Sequence, residues 1–125
     1  MKKSAFLFAA ILFLFATRSF CYGSLNLVRQ IELPNVTGRL DHMAVDLKRQ
    51  ELFVAAYGNN SLEIIDLRRG RLVRSVKGLD GPQGVEYIPG KELIAVSNGV
   101  DGTLLFFKAD TLKLGPSISE GMRTI

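Results

Sequence analysis

His42 is the only histidine of the chain, so any histidine-dependent catalysis would have to use it. Its neighbour Asp41 is the obvious carboxylate to orient the ring, as in a nucleophilic triad. Adjacent side chains on an extended segment point to opposite sides, however, which argues against an Asp-His pair. We therefore expect a structural or loop role for His42 and assign no catalytic residue.

The sequence also lacks the residue patterns of a phosphate-binding loop and of a calcium-binding loop. Five residues separate Gly84 from Gly90 where a phosphate-binding loop has four, and Glu92 stands where a Ser or Thr would hold magnesium. The aspartates are spread along turns and strand ends rather than grouped at calcium-loop spacing. The sequence therefore predicts no metal site and no cofactor.

The first 23 residues differ from the rest and are typical of a secretory signal peptide. Lys2 and Lys3 precede 12 consecutive apolar residues, fewer than the about 18 to 20 that span a bilayer. Small residues at Cys21 and Gly23 allow cleavage before Ser24; cleavage after Cys21 and an uncleaved anchor are the alternatives. We expect an exported protein, periplasmic or secreted, without stable membrane insertion after cleavage.

Removing this segment leaves 13 basic and 12 acidic residues, so the net charge falls from +4 to +1. A nearly neutral domain has no sequence-wide attraction to nucleic acid. The basic stretch 68–74 lacks the interleaved aromatic residues of a stacking platform. We therefore expect no nucleic-acid partner. The only cysteine, Cys21, lies at the signal junction, so the mature chain is expected to lack disulfides.

A pattern recurs in the rest of the chain, in residues 40–76 and again in 81–118, at a spacing of 41 to 42 residues. The segment from Gln50 aligns with the segment from Lys91 at an offset of 41, and one extra residue in the next loop moves the offset to 42. A period of about 40 to 45 residues without helical periodicity is typical of four-stranded propeller blades. The sequence therefore predicts an all-β fold made of β-propeller blades.

Short apolar runs separated by turn residues predict four antiparallel strands in each blade. Those of blade one (40–76) are 43–46, 52–56, 61–66 and 71–76, and those of blade two (81–118) are 85–88, 93–97, 103–108 and 113–118. Ahead of them, residues 24–33 alternate apolar and polar side chains and end at Pro34, which predicts a further strand. Residues 24–125 are thus expected to form an incomplete propeller, a closing strand plus two blades.

The segments Gly-Pro-Gln-Gly-Val (81–85) and Leu-Asp-His-Met-Ala-Val-Asp (40–46), followed by Asp-Gly-Thr and Gly-Asn-Asn-Ser turns, resemble the secreted YVTN-type, YncE-like β-propeller repeat family. The resemblance covers nearly all of residues 25–118 and identifies the fold better than an activity. Family members are usually seven-bladed, and their first strand often completes the last blade. The resemblance implies that role for residues 24–33.

Two blades alone would leave two apolar faces and one strand without partners. Closing the ring then requires self-association of about three or four copies, or the missing blades of a longer protein of which this sequence is a truncated piece. We favour truncation, because residues 120–125 show no capping feature.

In a propeller blade, the loop entering the innermost strand and the loop joining the second and third strands open on the same face, at the mouth of the central channel. The polar residues of these loops are the candidates for a ligand site: Asp41, His42, Asn59, Asn60, Gln83, Asn98 and Asp101.

The function expected from the sequence is that of a non-catalytic scaffold that binds an unidentified small molecule or protein through its channel face. The first alternative is part of an enzyme, since some propellers that the chain resembles hydrolyse lactones or hold a quinone cofactor. The second alternative is a truncated piece without independent function. A divalent metal whose binding depends on Asp41 or Asp101 would favour the enzyme, and metal-independent capture of a partner would favour the scaffold.

Overall fold

The computed structural model describes residues 23–119, so the predicted signal peptide, apart from Gly23, lies outside the described residues. Within that range no helix is long and apolar enough to cross a membrane. The described residues form eight strands: β1 (Met43–Asp46), β2 (Glu51–Ala56), β3 (Ser61–Asp66), β4 (Arg71–Lys77), β5 (Pro82–Ile88), β6 (Leu93–Asn98), β7 (Thr103–Lys108) and β8 (Leu114–Ser119). Two single-turn 3₁₀ helices, Tyr57–Asn59 and Pro89–Lys91, follow β2 and β5.

The strands form two four-stranded antiparallel sheets, in the orders β1-β2-β3-β4 and β5-β6-β7-β8. Each strand pairs with its neighbour in the sequence through a short turn. Left-handed residues such as Asn60 (φ 50°) and Gly70 (φ 64°) close the turns, because tight connections need a positive φ. The predicted all-β fold of propeller blades is confirmed.

The two sheets repeat at a constant spacing of 42 residues. Left-handed residues recur at that spacing, Gln50 with Glu92, Asn60 with Gly102 and Gly70 with Leu112. The hydrogen bond from Leu67 N to Gln50 O (2.9 Å) likewise recurs from Ala109 N to Glu92 O (2.9 Å).

The predicted offset of 41 over the first part of the repeat is therefore wrong. That offset rests on the shared Glu-Leu pair at 51–52 and 92–93, yet a shift of one residue moves every side chain of a strand to the opposite face. The structure instead makes Glu51 equivalent to Leu93, which opens β6 as Glu51 opens β2.

The core lies between the two blades. One face of blade one, its front face, carries Ala44, Phe53, Ala55, Leu62 and Ile64. It packs on the back face of blade two, which carries Val85, Tyr87, Ile94, Val96 and Phe107. The Phe53 and Tyr87 rings meet there at 5.8 Å between centroids.

The front face of blade two has no such cover among the described residues. It carries the 42-residue equivalents of the buried front face of blade one: Glu86, Ala95, Ser97, Leu104 and Phe106. Ile118 of β8, which pairs with Leu104 on this face, is 52% exposed. The blades are therefore arranged front to back, with one apolar face left open.

Residues 24–33 form no strand, contrary to the sequence prediction. A strand exists only through ladder hydrogen bonds, and the described residues offer this segment no ladder partner. Leu25, Leu27 and Val28 are 101%, 85% and 95% exposed. Completion of a last blade by this segment stays a prediction.

Residues 29–39 lie against the back face of blade one. Arg29 Nη1 donates to Leu67 O (2.9 Å) beyond one end of β3, and Gly58 N donates to Arg39 O (3.0 Å) beyond the other end. Back-face side chains such as Val54 and Glu63 are 1% and 0% exposed, although blade two lies on the other side of this sheet. Residues 29–39 therefore cover the part of this face formed by β2 and β3.

Candidate functional site at the channel end

The seven candidate residues all lie at one end of the two blades, which we call the channel end. It is formed by the segments that enter β1 and β5 and by the turns that follow β2 and β6. His42 N donates to Gln83 O (3.2 Å), and Gly81 N donates to Asn60 Oδ1 (3.1 Å). The structure thus brings parts of both blades together at this end.

The Asp41 and His42 side chains meet, which corrects the sequence expectation that they face opposite sides. Oδ1 of Asp41 lies 2.9 Å from Nδ1 of His42. Both residues precede β1, which begins at Met43, so they are not held in the regular pleat on which the expectation rested. The pair is also locked by Arg39, whose Nη2 donates to Oδ2 of Asp41 (2.9 Å).

Arg39 is itself fixed by the aromatic ring of Tyr57. Its guanidinium carbon lies 4.3 Å from the ring centroid, a distance at which the cation is attracted to the ring face. Arg39 also anchors the backbone, since its O accepts the N–H of Gly58 (3.0 Å). The Asp41 carboxylate is therefore positioned by the segment entering β1 and by the turn after β2.

Two acceptors face Nδ1 of His42, Oδ1 of Asp41 at 2.9 Å and the backbone O of Gln83 at 3.0 Å. In the neutral form of the ring these acceptors favour the hydrogen on Nδ1, which leaves the lone pair on Nε2. The His42 side chain is 70% exposed. Nε2 is consequently available to accept a hydrogen bond from a bound molecule.

Gln83 reaches this imidazole through its backbone O. Its side chain lies against Gly99, where an added Cβ would sit 2.7 Å from Gln83 Oε1. The glycine thus makes room for the amide, and a larger residue at position 99 would displace it. Asp41, His42 and Gln83 form one polar group, which we call the His42 cluster.

Asn59 turns inward, and both Asn59 and the exposed Asn60 serve the fold. Asn59 Nδ2 donates to Ser61 Oγ (2.8 Å), and its Oδ1 accepts the N–H of Thr37 (3.4 Å). Asn60 adopts a left-handed conformation and accepts the N–H of Gly81 on its side chain. Both amide atoms of Asn59 and the Oδ1 of Asn60 already have partners, so these residues contribute less to a ligand site than the sequence suggested.

Asn98 and Asp101 form a separate polar group around Thr103. Thr103 donates its hydroxyl and its N–H to Oδ1 of Asp101 (2.7 and 3.0 Å), and Asn98 Nδ2 donates to Thr103 Oγ1 (3.0 Å). The hydroxyl and backbone hydrogen bonds of Thr103 lower the pKa of Asp101. These contacts do not join Asn98 and Asp101 to the His42 cluster.

Sequence reasoning missed the buried carboxylate Glu63, which is 0% exposed. Its Oε1 accepts hydroxyl hydrogens from Ser61 (2.5 Å) and Ser75 (2.9 Å), and its Oε2 is buried without a hydrogen-bond partner. The signal in the sequence was a charged residue between the apolar Leu62 and Ile64. Within residues 23–119 no three His, Cys, Asp or Glu side chains converge as a metal-binding group.

No protein-family model and no curated protein matches the chain. Among solved structures, it is similar to hydrazine synthase from Kuenenia stuttgartiensis, with a TM-score of 0.57 and 20% identity, covering 63% of this chain and 23% of that one. It is also similar to apo AztD from Citrobacter koseri, with a TM-score of 0.60 and 22% identity, covering 73% of this chain and 25% of that one.

The chain thus spans about a quarter of the length of each of these structures. Both are β-propeller proteins. At such identities the likeness shows the fold alone, and it supports a β-propeller scaffold built here from two blades.

Proposed function

We propose that this chain belongs to an exported β-propeller that acts as a non-catalytic scaffold and binds a small molecule or a protein at its channel end. The two four-stranded blades and the similarity of the chain to two β-propeller structures support the scaffold. The binding group is the His42 cluster, where residues of both blades meet.

The observation that carries the proposal is the orientation of the His42 ring. Nδ1 is held between Asp41 Oδ1 and Gln83 O at 2.9 and 3.0 Å, while the side chain is 70% exposed. A ring fixed at one nitrogen loses little conformational freedom when its other nitrogen binds a partner, which favours binding. The expected partner group is an O–H or N–H donor of a hydroxyl- or amide-bearing molecule.

The surroundings of the ring favour binding over nucleophilic catalysis. An Asp-His pair acts on a nucleophile that hydrogen bonds to the second ring nitrogen. Among the side chains of residues 23–119, no serine or threonine hydroxyl is hydrogen-bonded to His42. Oδ1 of Asp41 and the backbone O of Gln83 then position the His42 ring so that Nε2 can accept a hydrogen bond.

The test recovers the tagged protein, in the longest form that the source cells make, from their envelope fraction under native conditions. Mass spectrometry identifies the small molecules and proteins bound to the wild type and to His42→Ala. We expect a species bound by the wild type to be depleted at least about fivefold in His42→Ala, because a hydrogen bond shielded by the bound molecule is worth about 1 kcal/mol or more.

The control is Lys91→Ala, an exposed residue at the opposite end of blade two. This variant should keep the bound species. Equal recovery with His42→Ala and the wild type would contradict a ligand site at the His42 cluster. Recovery of the protein from the cytoplasm alone would contradict export.

A further inference from the structure

Two turns of blade one, at the end opposite the His42 cluster, carry the same four-residue pattern, Asp-Leu-basic-Arg, beginning at Asp46 and at Asp66. In the first turn, Arg49 donates its N–H to Asp46 Oδ1 (3.1 Å) and a hydrogen from Nη1 to Oδ2 (2.8 Å). In the second, Arg69 makes the same two contacts with Asp66, each at 2.9 Å. The aspartate and the arginine of each turn therefore satisfy one another.

The third residue of each turn keeps its charge free. Lys48 and Arg68 are exposed, and none of the ion pairs within the described residues includes either of them. Arg68 Nη2 donates to the backbone O of Arg49 (3.1 Å), which brings the two turns together. Arg29 joins them, since its Nη1 donates to Leu67 O (2.9 Å). Cations therefore accumulate at this place without an equal number of carboxylates.

We call this end of the molecule the basic end. It is formed by the turns after β1, β3, β5 and β7, within residues 46–51, 66–71, 88–93 and 108–113. These segments contain eight cations: Lys48, Arg49, Arg68, Arg69, Arg71, Lys91, Lys108 and Lys113. They contain five carboxylates, Asp46, Glu51, Asp66, Glu92 and Asp110, so their net charge is +3.

The surface of the basic end is more positive than this count, because most of its carboxylates point inward. The side chains of Asp46, Glu51 and Asp66 are only 1%, 17% and 11% exposed. A chain whose total charge is close to zero thus has its exposed cations gathered at one end. Such an end attracts an anionic surface, although the protein as a whole does not.

An apolar side chain lies among these cations. Leu47, the second residue of the first turn, is 73% exposed. With Lys48 and Pro89 it lines a cleft of about 420 Å³ formed by residues of the turns after β1 and β5. Peripheral membrane binding combines attraction between basic residues and anionic lipids with burial of apolar side chains in the headgroup layer. A soluble polyanion would use the cations and leave the leucine in water.

We propose that the basic end docks reversibly on a bilayer surface that contains anionic phospholipids. Lys48, Arg68 and Arg71 contact the lipid phosphates, and Leu47 enters the headgroup layer. The channel end then faces away from the membrane, which leaves the His42 cluster open to solvent. This proposal does not rest on a ligand at that cluster.

Vesicle sedimentation tests the proposal with the tagged protein in the longest form that the source cells make, washed at high salt. One vesicle contains equal parts of phosphatidylglycerol and phosphatidylcholine, and the other contains phosphatidylcholine alone. We expect at least about tenfold stronger binding to the anionic vesicle, since each basic residue near such a surface strengthens binding about fivefold. High salt should release the protein, because it screens exposed charges.

Arg68→Glu should weaken binding to the anionic vesicle at least about tenfold. Lys77→Glu is the matched control, because it makes the same change of charge on an exposed residue at the channel end of the same blade. This control and His42→Ala should bind like the wild type. Circular dichroism checks the fold of each variant, and Lys48→Glu repeats the test on the neighbouring turn.

Leu47→Ser distinguishes a bilayer from any other anionic surface. It should weaken binding to the anionic vesicle at least about threefold, because the leucine no longer enters the headgroup layer. Equal binding to the two vesicles, or equal effects of Arg68→Glu and Lys77→Glu, would overturn the proposal. Unchanged binding of Leu47→Ser would exclude a bilayer as the partner and leave a soluble polyanion.

Discussion

Arg49 of blade one donates a hydrogen bond from Nη1 to the hydroxyl of Tyr87 in blade two, at 3.2 Å. The same nitrogen lies 2.8 Å from Oδ2 of Asp46, whose side chain is 1% exposed. Glu92 of blade two also forms an ion pair with this nitrogen of Arg49. These contacts join the turn after β1 to the turn after β5, at the end opposite the His42 cluster. One cation thus couples a buried carboxylate to the neighbouring blade.

Arg49→Ala should lower the free energy of unfolding by about 2 kcal/mol, because it leaves Asp46 buried without its cation. Urea denaturation followed by circular dichroism measures the change.

Arg69→Ala is the matched control. Arg69 pairs with Asp66 at the same i,i+3 spacing and 2.9 Å, but its side chain is 68% exposed and, within residues 23–119, forms no ion pair with blade two. Exposed pairs contribute little, so this variant should lose much less stability. Similar losses for the two variants would show that coupling between the blades is not what gives Arg49 its effect.

Acid should destabilise the fold through its hydrogen-bonded aspartates. Burial disfavours the ionised form of Asp46, but hydrogen bonds from Arg49, Tyr87 and the N–H of Lys48 outweigh it and lower the pKa of Asp46. A carboxyl whose pKa is lower in the folded state contributes stability above its unfolded pKa of about 3.9, and this stability is lost as the pH falls through the folded pKa.

The free energy of unfolding should therefore be nearly constant between about pH 7 and 5 and fall below about pH 4. Urea midpoints across this range provide the measurement. Asp46→Asn removes one titrating group and should make the fall shallower. An identical acid profile in Asp46→Asn would exclude Asp46 as a source of the pH dependence.

Gly58→Ala should release residues 29–39 from the back face of blade one. A Cβ at Gly58 would lie 2.6 Å from Arg39 N and 2.7 Å from Gly38 Cα, and backbone atoms cannot move aside as a side chain can. Overpacking of this kind costs about 1–3 kcal/mol. We expect tryptic cleavage after Arg29 and Arg39 to be about tenfold faster while both sheets persist.

Gly90→Ala serves as the control, since a Cβ there meets nothing within 4 Å. Its cleavage rate should match that of the wild type. Unchanged cleavage in Gly58→Ala would mean that the close approach of Gly38 and Gly58 does not hold the segment.

Glu63→Gln should stabilise the fold at neutral pH. Oε2 of Glu63 is buried without a hydrogen-bond partner, and none of the ion pairs in residues 23–119 includes this carboxylate. A neutral amide retains an acceptor for Ser61 and Ser75 and is less costly to bury. We expect a gain of about 1 kcal/mol in urea denaturation.

Glu86→Gln, on the exposed side of β5, should leave the stability unchanged. A loss of stability in Glu63→Gln would indicate that the charge itself has a partner on this face.

The strands and turns of both blades could be predicted because alternating apolar residues and Gly or Asn turns are local signals. The repeat offset could not be fixed by residue identity. The identical pairs Glu51-Leu52 and Glu92-Leu93 favour an offset of 41, and the sequence similarity at an offset of 42 is weaker. Only the offset of 42 makes Val54 equivalent to Val96, which lies on the corresponding back face of its blade. Residues 24–33 show strand alternation, but a strand also needs a partner, which a local pattern does not supply.

The candidate site was predicted in position more than in detail. Topology alone placed all seven residues at the channel end. The contact between Asp41 and His42 depends on Arg39, Tyr57 and Gln83 O, which come from three segments. The inward role of Asn59 depends on Ser61 and Thr37. Such contacts follow from tertiary packing and leave no trace in residue spacing.

Native mass spectrometry of the protein from the exported fraction of the source cells, compared with His42→Ala, is the measurement to make first. We expect a chain that begins near Ser24, carries a bound species in the wild type and lacks that species in the variant. An unprocessed chain, or a bound species that His42→Ala retains in full, would contradict an exported propeller that binds its ligand at the His42 cluster.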